Sequence, residues 1–297
     1  MSFTYTAPSK TSEPIALVRS KVGKPVKLLY LSEESPEEST STSINDIVFK
    51  EQSARVFAQA LANGLTIKDI EDGLKIGNNS QRNLGMQVNL TSNEVLEPVP
   101  SPNKPERVLV SGGSGVGKST LVMSMIEKYS KFYPDNRIVL FLRQEDPAFS
   151  KLDELDVDIH EIIVDDKILE MKITLDDLEN SLVVFDDMDN IPSKKINEFV
   201  HRIVNDILTN GRKRNISCTY INHAFLSGLQ SKIVNHESNK VFFFPSSGIR
   251  QTIAFLKEYL GMMKQEIDML THIPSRWVMI SRSSPRYVLF EKGAMII

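Results

Sequence analysis

The sequence predicts a three-layer α/β sandwich with a mostly parallel central sheet, preceded by a small N-terminal appendage. Three observations carry that prediction. A glycine-rich segment, Gly112 to Thr120, stands between the β-prone run Val108-Leu109-Val110 and a stretch with Leu121, Val122, Met125 and Ile126 at helical spacing. A second apolar run, Leu182-Val183-Val184-Phe185, ends abruptly in Asp186-Asp187. Strand-like and helix-like stretches then alternate from residue 105 to residue 297, which is the pattern of a sheet covered by helices on both faces.

The glycine-rich segment reads GGSGVGKST and fits G-x-x-x-x-G-K-[ST]. This is a phosphate-binding loop, so the sandwich is expected to be a P-loop NTPase. Gly112, Gly113, Ser114, Gly115, Val116, Gly117, Lys118, Ser119 and Thr120 form the expected ATP-binding set. Gly113, Gly115 and Gly117 let the backbone curl so that its N–H groups face phosphate oxygens. A helix beginning near Lys118 adds its positive end. Lys118 is expected to reach the β- and γ-phosphates, and the Ser119 hydroxyl to ligate Mg2+. The pattern itself names neither base nor reaction.

Composition sets the class. The 297 residues are 41% hydrophobic and 25% charged, ordinary values for a globular protein. No apolar run reaches the length needed to span a bilayer, and the first ten residues lack the pattern of a secretory signal. A single cysteine, Cys218, excludes an internal disulfide and a cysteine zinc site, and fits a reducing compartment. The net charge of −3 shows that the chain is no polycation, which argues against a protein that coats nucleic acid but not against a ring with basic residues on one surface.

Residues 1–104 are expected to form the appendage. Ile15 to Val18 and Val26 to Tyr30 are β-prone and separated by Gly23 and Pro25, the pattern of a hairpin. Residues 32–43 are acidic and hydroxyl-rich and read as an exposed loop. Residues 51–62 and 67–74 carry helical spacing, and 78–80 a turn. Glu97 to Pro105 holds four prolines and reads as an extended connector.

After the loop helix, Arg137 to Arg143 is expected as a strand, with further strands at Ile159 to Val164, Ser181 to Asp187, Ile216 to Ile221 and Lys240 to Phe244. A helical turn is expected at Leu175 to Leu178. Ser193 reads as the cap of a helix reaching about Leu208, stopped by Asn210-Gly211. Helices are expected from Gly248 to Leu260, with Gly261 as the stop, and from Met263 to Leu270. Trp277 to Ile280 and Tyr287 to Phe290 read as a C-terminal hairpin.

Ligands of such sheets sit at the C-terminal strand ends. Asp186 therefore reads as the Walker B carboxylate that orients Mg2+, and Asp187 as the group that polarises attacking water. Asp189 reads as solvated. Asn222 or His223, after the strand at Ile216, stands where a residue could sense the γ-phosphate, though a capping Asn and a surface His explain them equally well. The five histidines show no metal-ligand spacing. The basic cluster Gly211-Arg212-Lys213-Arg214 reads as a solvated loop, an arginine finger or a nucleic-acid contact. Arg276, Arg282 and Arg286 make a second basic region, opposed to an acidic stretch from Glu145 to Asp189. That asymmetry suits head-to-tail subunit contacts.

The motif order GGSGVGKST, LVVFDDMD, NGRKRNISCTYINH and VFFFPSS, with the closing RWVMISRSSPRYVLFEKG, resembles the poxvirus-type and giant-virus genome-packaging ATPases of the FtsK–HerA superfamily. The resemblance covers residues 106–297. It implies a homo-oligomeric ring that hydrolyses ATP to move double-stranded DNA into a capsid, docked on capsid or portal-like vertex proteins. It implies the host cytoplasm, a viral factory or the virion as location. Lys118 and Ser119 take the Walker A role, Asp186 the Walker B role, Arg212 is the first choice for the finger and Arg214 the second. Relatives usually carry Asp-Glu where Asp186-Asp187 stands, and often Gln where Asn222-His223 stands. Two other readings remain at this point: a small-molecule or nucleotide kinase, for which Arg143 is an available arginine, and a nucleotide-binding assembly protein without turnover.

Overall fold

The computed structural model describes residues 2–5, 7, 13–20, 25–32, 87–91, 93–101, 104–155, 157–226 and 231–297. The helices expected at 51–62 and 67–74, the turn at 78–80 and nearly all of the loop at 32–43 lie outside the described residues.

Two sheets build the molecule. The smaller has strands β1 (Ser2–Thr4), β2 (Pro14–Ser20), β3 (Pro25–Ser32) and, further along the chain, β5 (Glu94–Pro98), in the order β1-β3-β2-β5. The expected hairpin is the antiparallel pair β2–β3, with Leu17 opposite Leu28. Between β3 and β5 in the chain, β4 (Gln87–Asn89) joins the larger sheet instead, opposite Gly293 to Met295.

The larger sheet holds β6 (Arg107–Ser111), β7 (Arg137–Leu142), β8 (Ile159–Ile163), β9 (Ser181–Asp186), β10 (Ile216–Asn222) and β11 (Lys240–Phe243), parallel to one another in the order β11-β6-β10-β9-β7-β8. Strands β12 (Val278–Ser281), β13 (Tyr287–Phe290) and β14 (Gly293–Ile296) continue it antiparallel beyond β11. Five helices are described: α1 (Lys118–Phe132), α2 (Lys194–Asn210), α3 (Ser231–Glu237), α4 (Ile249–Leu260) and α5 (Lys264–Thr271).

The inner parallel strands are mostly apolar because helices cover both faces, whereas the edge strand β8 is partly exposed. All seven residues of β10 are buried. Alternation then sorts the side chains. Val183 and Phe185 of β9 join Val200, Ile203, Val204 and Ile207 of α2 in one core. Leu182 and Val184 join Val122, Met123 and Ile126 of α1 in the other. Each fully buried Ile, Val or Phe contributes about 2 kcal/mol. Ser193 caps α2, its Oγ accepting from Ile196 N–H at 3.5 Å. Cys218 is buried in β10, where desolvation pushes its thiol up to about 12. No described helix is long and apolar enough to cross a membrane.

Three expectations are corrected, and one gains a detail. The proline-rich connector begins as strand: β5 runs to Pro98, and its place at the sheet edge is what admits a proline. Asn210-Gly211 does end α2, but not through a left-handed glycine. It is helical (φ −59°) and opens a 3-10 turn, Gly211–Arg214, while Asn215 takes the left-handed geometry (φ 54°). Gly211 is instead where a Cβ would come within 3.3 Å of Ile207 and Ile216. The C-terminal hairpin is a three-stranded meander, because β14 follows β13 by a tight turn. Nor do Arg276, Arg282 and Arg286 form one basic surface. Arg276 pairs with Glu291, Arg282 donates to the carbonyls of Asn235, His236 and Ser238 at the end of α3, and Arg286 donates to Leu260 O at the end of α4.

Candidate nucleotide site

The glycine-rich loop joins β6 to α1. Gly115 (φ 77°) and Gly117 (φ 94°) are left-handed, a geometry that costs other residues about 1–2 kcal/mol. Gly117 is the residue before the first turn of α1, so the helix opens with its N–H groups on the loop's concave side. Gly112 and Gly113 answer a different need. A Cβ on Gly112 would lie 2.7 Å from the Phe244 ring, and one on Gly113 2.5 Å from Ser247 Oγ. The loop is thereby tied to its neighbours: Gly113 N–H donates to Ser247 Oγ at 2.9 Å, and Gly112 N–H to Asn222 O at 3.3 Å.

Lys118 is 9% exposed. Its Nζ donates to the carbonyls of Gly112 (2.7 Å) and Gly113 (3.0 Å) and stands 3.4 Å from His223 Nδ1. Burial lowers the ammonium's pKa, against the attraction of Asp186, Asp187 and Asp189. Strand register explains that convergence: β9 and β6 flank β10, with Asp186 beside Ile221 and Ser111 beside Asn222.

Asp186, Asp187, Asp146 and His223 line one cavity of about 380 Å3 with Lys118 and Ser119. Desolvation, then the charges of Asp187 and Asp146, raise Asp186 to about 6, while Lys118 and His223 oppose the shift. Its carboxylate has no hydrogen-bond partner among the described residues. A half-buried carboxylate without a hydrogen-bond partner among the described residues, lining one cavity with a serine, has the donor chemistry of a magnesium site, so Asp186 and Ser119 fit the metal expected of them. Asp187 follows in a left-handed conformation (φ 62°), and His223 Nε2 lies 2.5 Å from its Oδ1.

The remaining expected residues fall elsewhere. Asp189 is not solvated: it accepts from His223 N–H at 3.2 Å and from the Tyr220 hydroxyl at 3.4 Å, and burial raises its pKa. Asn222 is 1% exposed, and neither its Oδ1 nor its Nδ2 has a partner among the described residues. Alternation along β10 puts its side chain on the sheet face of Tyr220, opposite that of Asp186, and His223 is the one that enters the cavity. Arg212 and Arg214 lie at the other end of β10, about 20 Å away along a seven-residue strand. Arg214 pairs with Asp176, and the exposed Arg212 side chain has no partner among the described residues. Asp146 was not singled out by sequence. Its Oδ1 accepts from Ala148 N–H at 2.8 Å and caps the 3-10 turn Pro147–Glu154. An Asp before a Pro four residues beyond a parallel strand was the signal available for it.

No family model matches the chain. Among solved structures it is similar to B204, the DNA-packaging ATPase from Sulfolobus turreted icosahedral virus, at 14% identity and a TM-score of 0.45, over 63% of this chain and 98% of that one. It is also similar to the cytoplasmic domain of the Thermomonospora curvata type VII secretion ATPase EccC, at 14% identity and a TM-score of 0.47, over 70% of this chain and 28% of that one. Among curated proteins it is similar to the uncharacterized protein V3 of Sputnik virophage. There it is 36% identical over 202 residues, 66% of this chain and 79% of the relative. On that identity and coverage, the chain belongs to the family of the Sputnik virophage protein V3.

Proposed function

We propose that this protein is an ATP-hydrolysing motor that moves double-stranded DNA into a viral capsid as a homo-oligomeric ring. The observation that carries the reading is the meeting of Lys118, Ser119 and Asp186 around one cavity at the C-terminal strand ends, with Arg212 unpaired among the described residues at the opposite end of β10. Too distant for its own site, Arg212 suits the site of a neighbouring subunit. The motif order and the virophage origin of its relative support DNA packaging as the work done.

In this reading the loop N–H groups and Lys118 bind the triphosphate, and Asp186 with Ser119 would hold Mg2+, which would supply positive charge to offset that of the phosphates. Water attacks the γ-phosphorus, the bond to the β-phosphate oxygen breaks, and ADP and phosphate form. Asp187, held by His223, polarises that water. Arg212 of the neighbour stabilises the charge developing on the transferred group.

ATP turnover with and without double-stranded DNA, measured beside the oligomeric mass, tests the reading. DNA-stimulated hydrolysis by an oligomer is expected. A verified oligomer whose turnover ignores DNA sinks the motor. ATP binding without turnover points to an assembly protein, a reading that the engagement of Asp187 by His223 keeps in view.

A further inference from the structure

Large apolar side chains stand in solvent at both ends of the array of parallel strands. At the β8 end, Leu169 (39% exposed) and Met171 (44%) lie on and just after the 3-10 turn Asp166–Glu170. Their surroundings are acidic. From Asp158 to Glu179 there are eight exposed Asp and Glu residues and two exposed lysines, Lys167 and Lys172. At the β11 end, Ile249, Ile253 and Lys257 recur at intervals of four along α4 and so form one exposed stripe, with Arg250 beside it. Neither Arg250 nor Lys257 has an ion-pair partner among the described residues.

That stripe borders a groove of about 480 Å3, between the first turn of α4 and the residues Ala224 and Phe225 that follow β10. Phe225 stacks on Phe255 of α4, with ring centroids 4.1 Å apart, and the next residue, Leu226, is again exposed. Gly112, Gly113 and Ser247 also line the groove, so it reaches the glycine-rich loop. The two surfaces are complementary. One offers apolar side chains among carboxylates, the other an apolar stripe with unpaired cations. A single chain cannot join them, because β8 and β11 lie five strand spacings apart, about 24 Å. Duplex DNA suits the groove less well: isoleucines offer nothing to phosphates, and two cations neutralise little of its charge.

Resting on the homo-oligomer reading above, we propose that the 3-10 turn of one copy, led by Leu169 and Met171, docks in the α4 groove of the next, with Glu170 against Arg250. The contact is heterologous. Each copy gives its acidic end to one neighbour and its α4 groove to the other, an arrangement that closes into a ring when the rotation between copies allows it. The docked turn also lies beside Gly112 and Gly113, so a neighbour rests on the loop that takes the triphosphate in that reading.

Sedimentation of the full chain over a range of concentrations, with and without Mg2+ and ATP, tests the contact. Wild type is expected to assemble. Leu169→Glu with Met171→Glu spoils the turn, and Ile253→Glu spoils the groove. Each is expected to weaken assembly at least about tenfold, with thermal unfolding of the separated subunit unchanged. Mixed together, the two variants are expected to give one-to-one dimers and nothing larger, since each keeps one intact surface. Arg250→Glu is expected to weaken assembly, and Arg250→Glu combined with Glu170→Arg to restore it. Variants that assemble like wild type, a mixture that stays monomeric, or a charge exchange without rescue overturns the proposal. Normal assembly of Ile253→Glu with loss of DNA binding assigns the groove to DNA and overturns it too. A wild-type chain that is monomeric under every condition removes the oligomer reading first, and this proposal falls with it.

Discussion

His223 Nε2 stands 2.5 Å from Asp187 Oδ1, while the other ring nitrogen faces Lys118 Nζ at 3.4 Å. The ammonium has only protons to offer, so Nδ1 is the acceptor and Nε2 carries the proton donated to Asp187. One imidazole thus links Lys118 to the carboxylate that follows Asp186. His223→Ala should lower kcat up to about 100-fold by releasing Asp187, with nucleotide affinity nearly unchanged. Steady-state kinetics beside calorimetry separate the two. A matched loss of affinity would make His223 a binding residue.

Asp186 sets the pH dependence. Its folded pKa of about 6 exceeds the unfolded value of 3.8, so ionisation disfavours the metal-free fold as pH rises through that interval. Asp186→Asn should therefore stabilise the metal-free protein above pH 6, on the order of 1–2 kcal/mol for a partly exposed group. Thermal unfolding at pH 3 and pH 8 should show the gain at pH 8 and little at pH 3. The same variant should lose Mg2+-dependent nucleotide binding, which in the wild type should strengthen between pH 5 and 7.

Asp146 adds negative charge beside Asp186. Asp146→Asn should remove part of the upward shift, so the acidic limb of the pH profile for Mg2+-nucleotide binding should move to lower pH. A limb that stays in place, or moves up, would mean that Asp146 faces the cavity without coupling to the metal ligand.

Arg212 and Arg214 separate by their partners. Arg212→Ala should leave ATP binding by an isolated subunit intact and cut turnover in the ring by about 1000-fold, the magnitude of an arginine finger. Arg214→Ala removes a surface pair with Asp176 and should cost under about 1 kcal/mol of stability. Turnover that survives Arg212→Ala and collapses with Arg214→Ala reverses the assignment.

The sequence made the local chemistry of this site legible and left its assembly obscure. Glycines at 112, 113, 115 and 117 and the aspartate ending an apolar strand are demands that a few adjacent residues must meet, so they show in the letters. Asp146 did not show, because it lies forty residues before Asp186 and reaches it only through the pairing of Leu142 with Asp186 across β7 and β9. Asn222 and His223 could not be told apart, since alternation assigns faces only once the end of β10 is known. Strand β14 spans four residues, too few for periodicity to declare itself. Gly211 ends α2 as read, but the close approach it allows to Ile207 and Ile216 did not show, because the two isoleucines belong to different elements.

The two sheets share more than a boundary. Ala16, Val18, Leu29 and Leu96 from the smaller one lie in the same core as Val122, Met123 and Ile126 of the helix behind the phosphate loop. Glu97 of β5 pairs with Lys128 of that helix. Cutting the chain before Pro105 would strip an apolar flank from α1 and leave Lys128 buried without its counter-charge. The helix behind the glycine-rich loop therefore leans on the first strands for part of its core and for the counter-charge of Lys128.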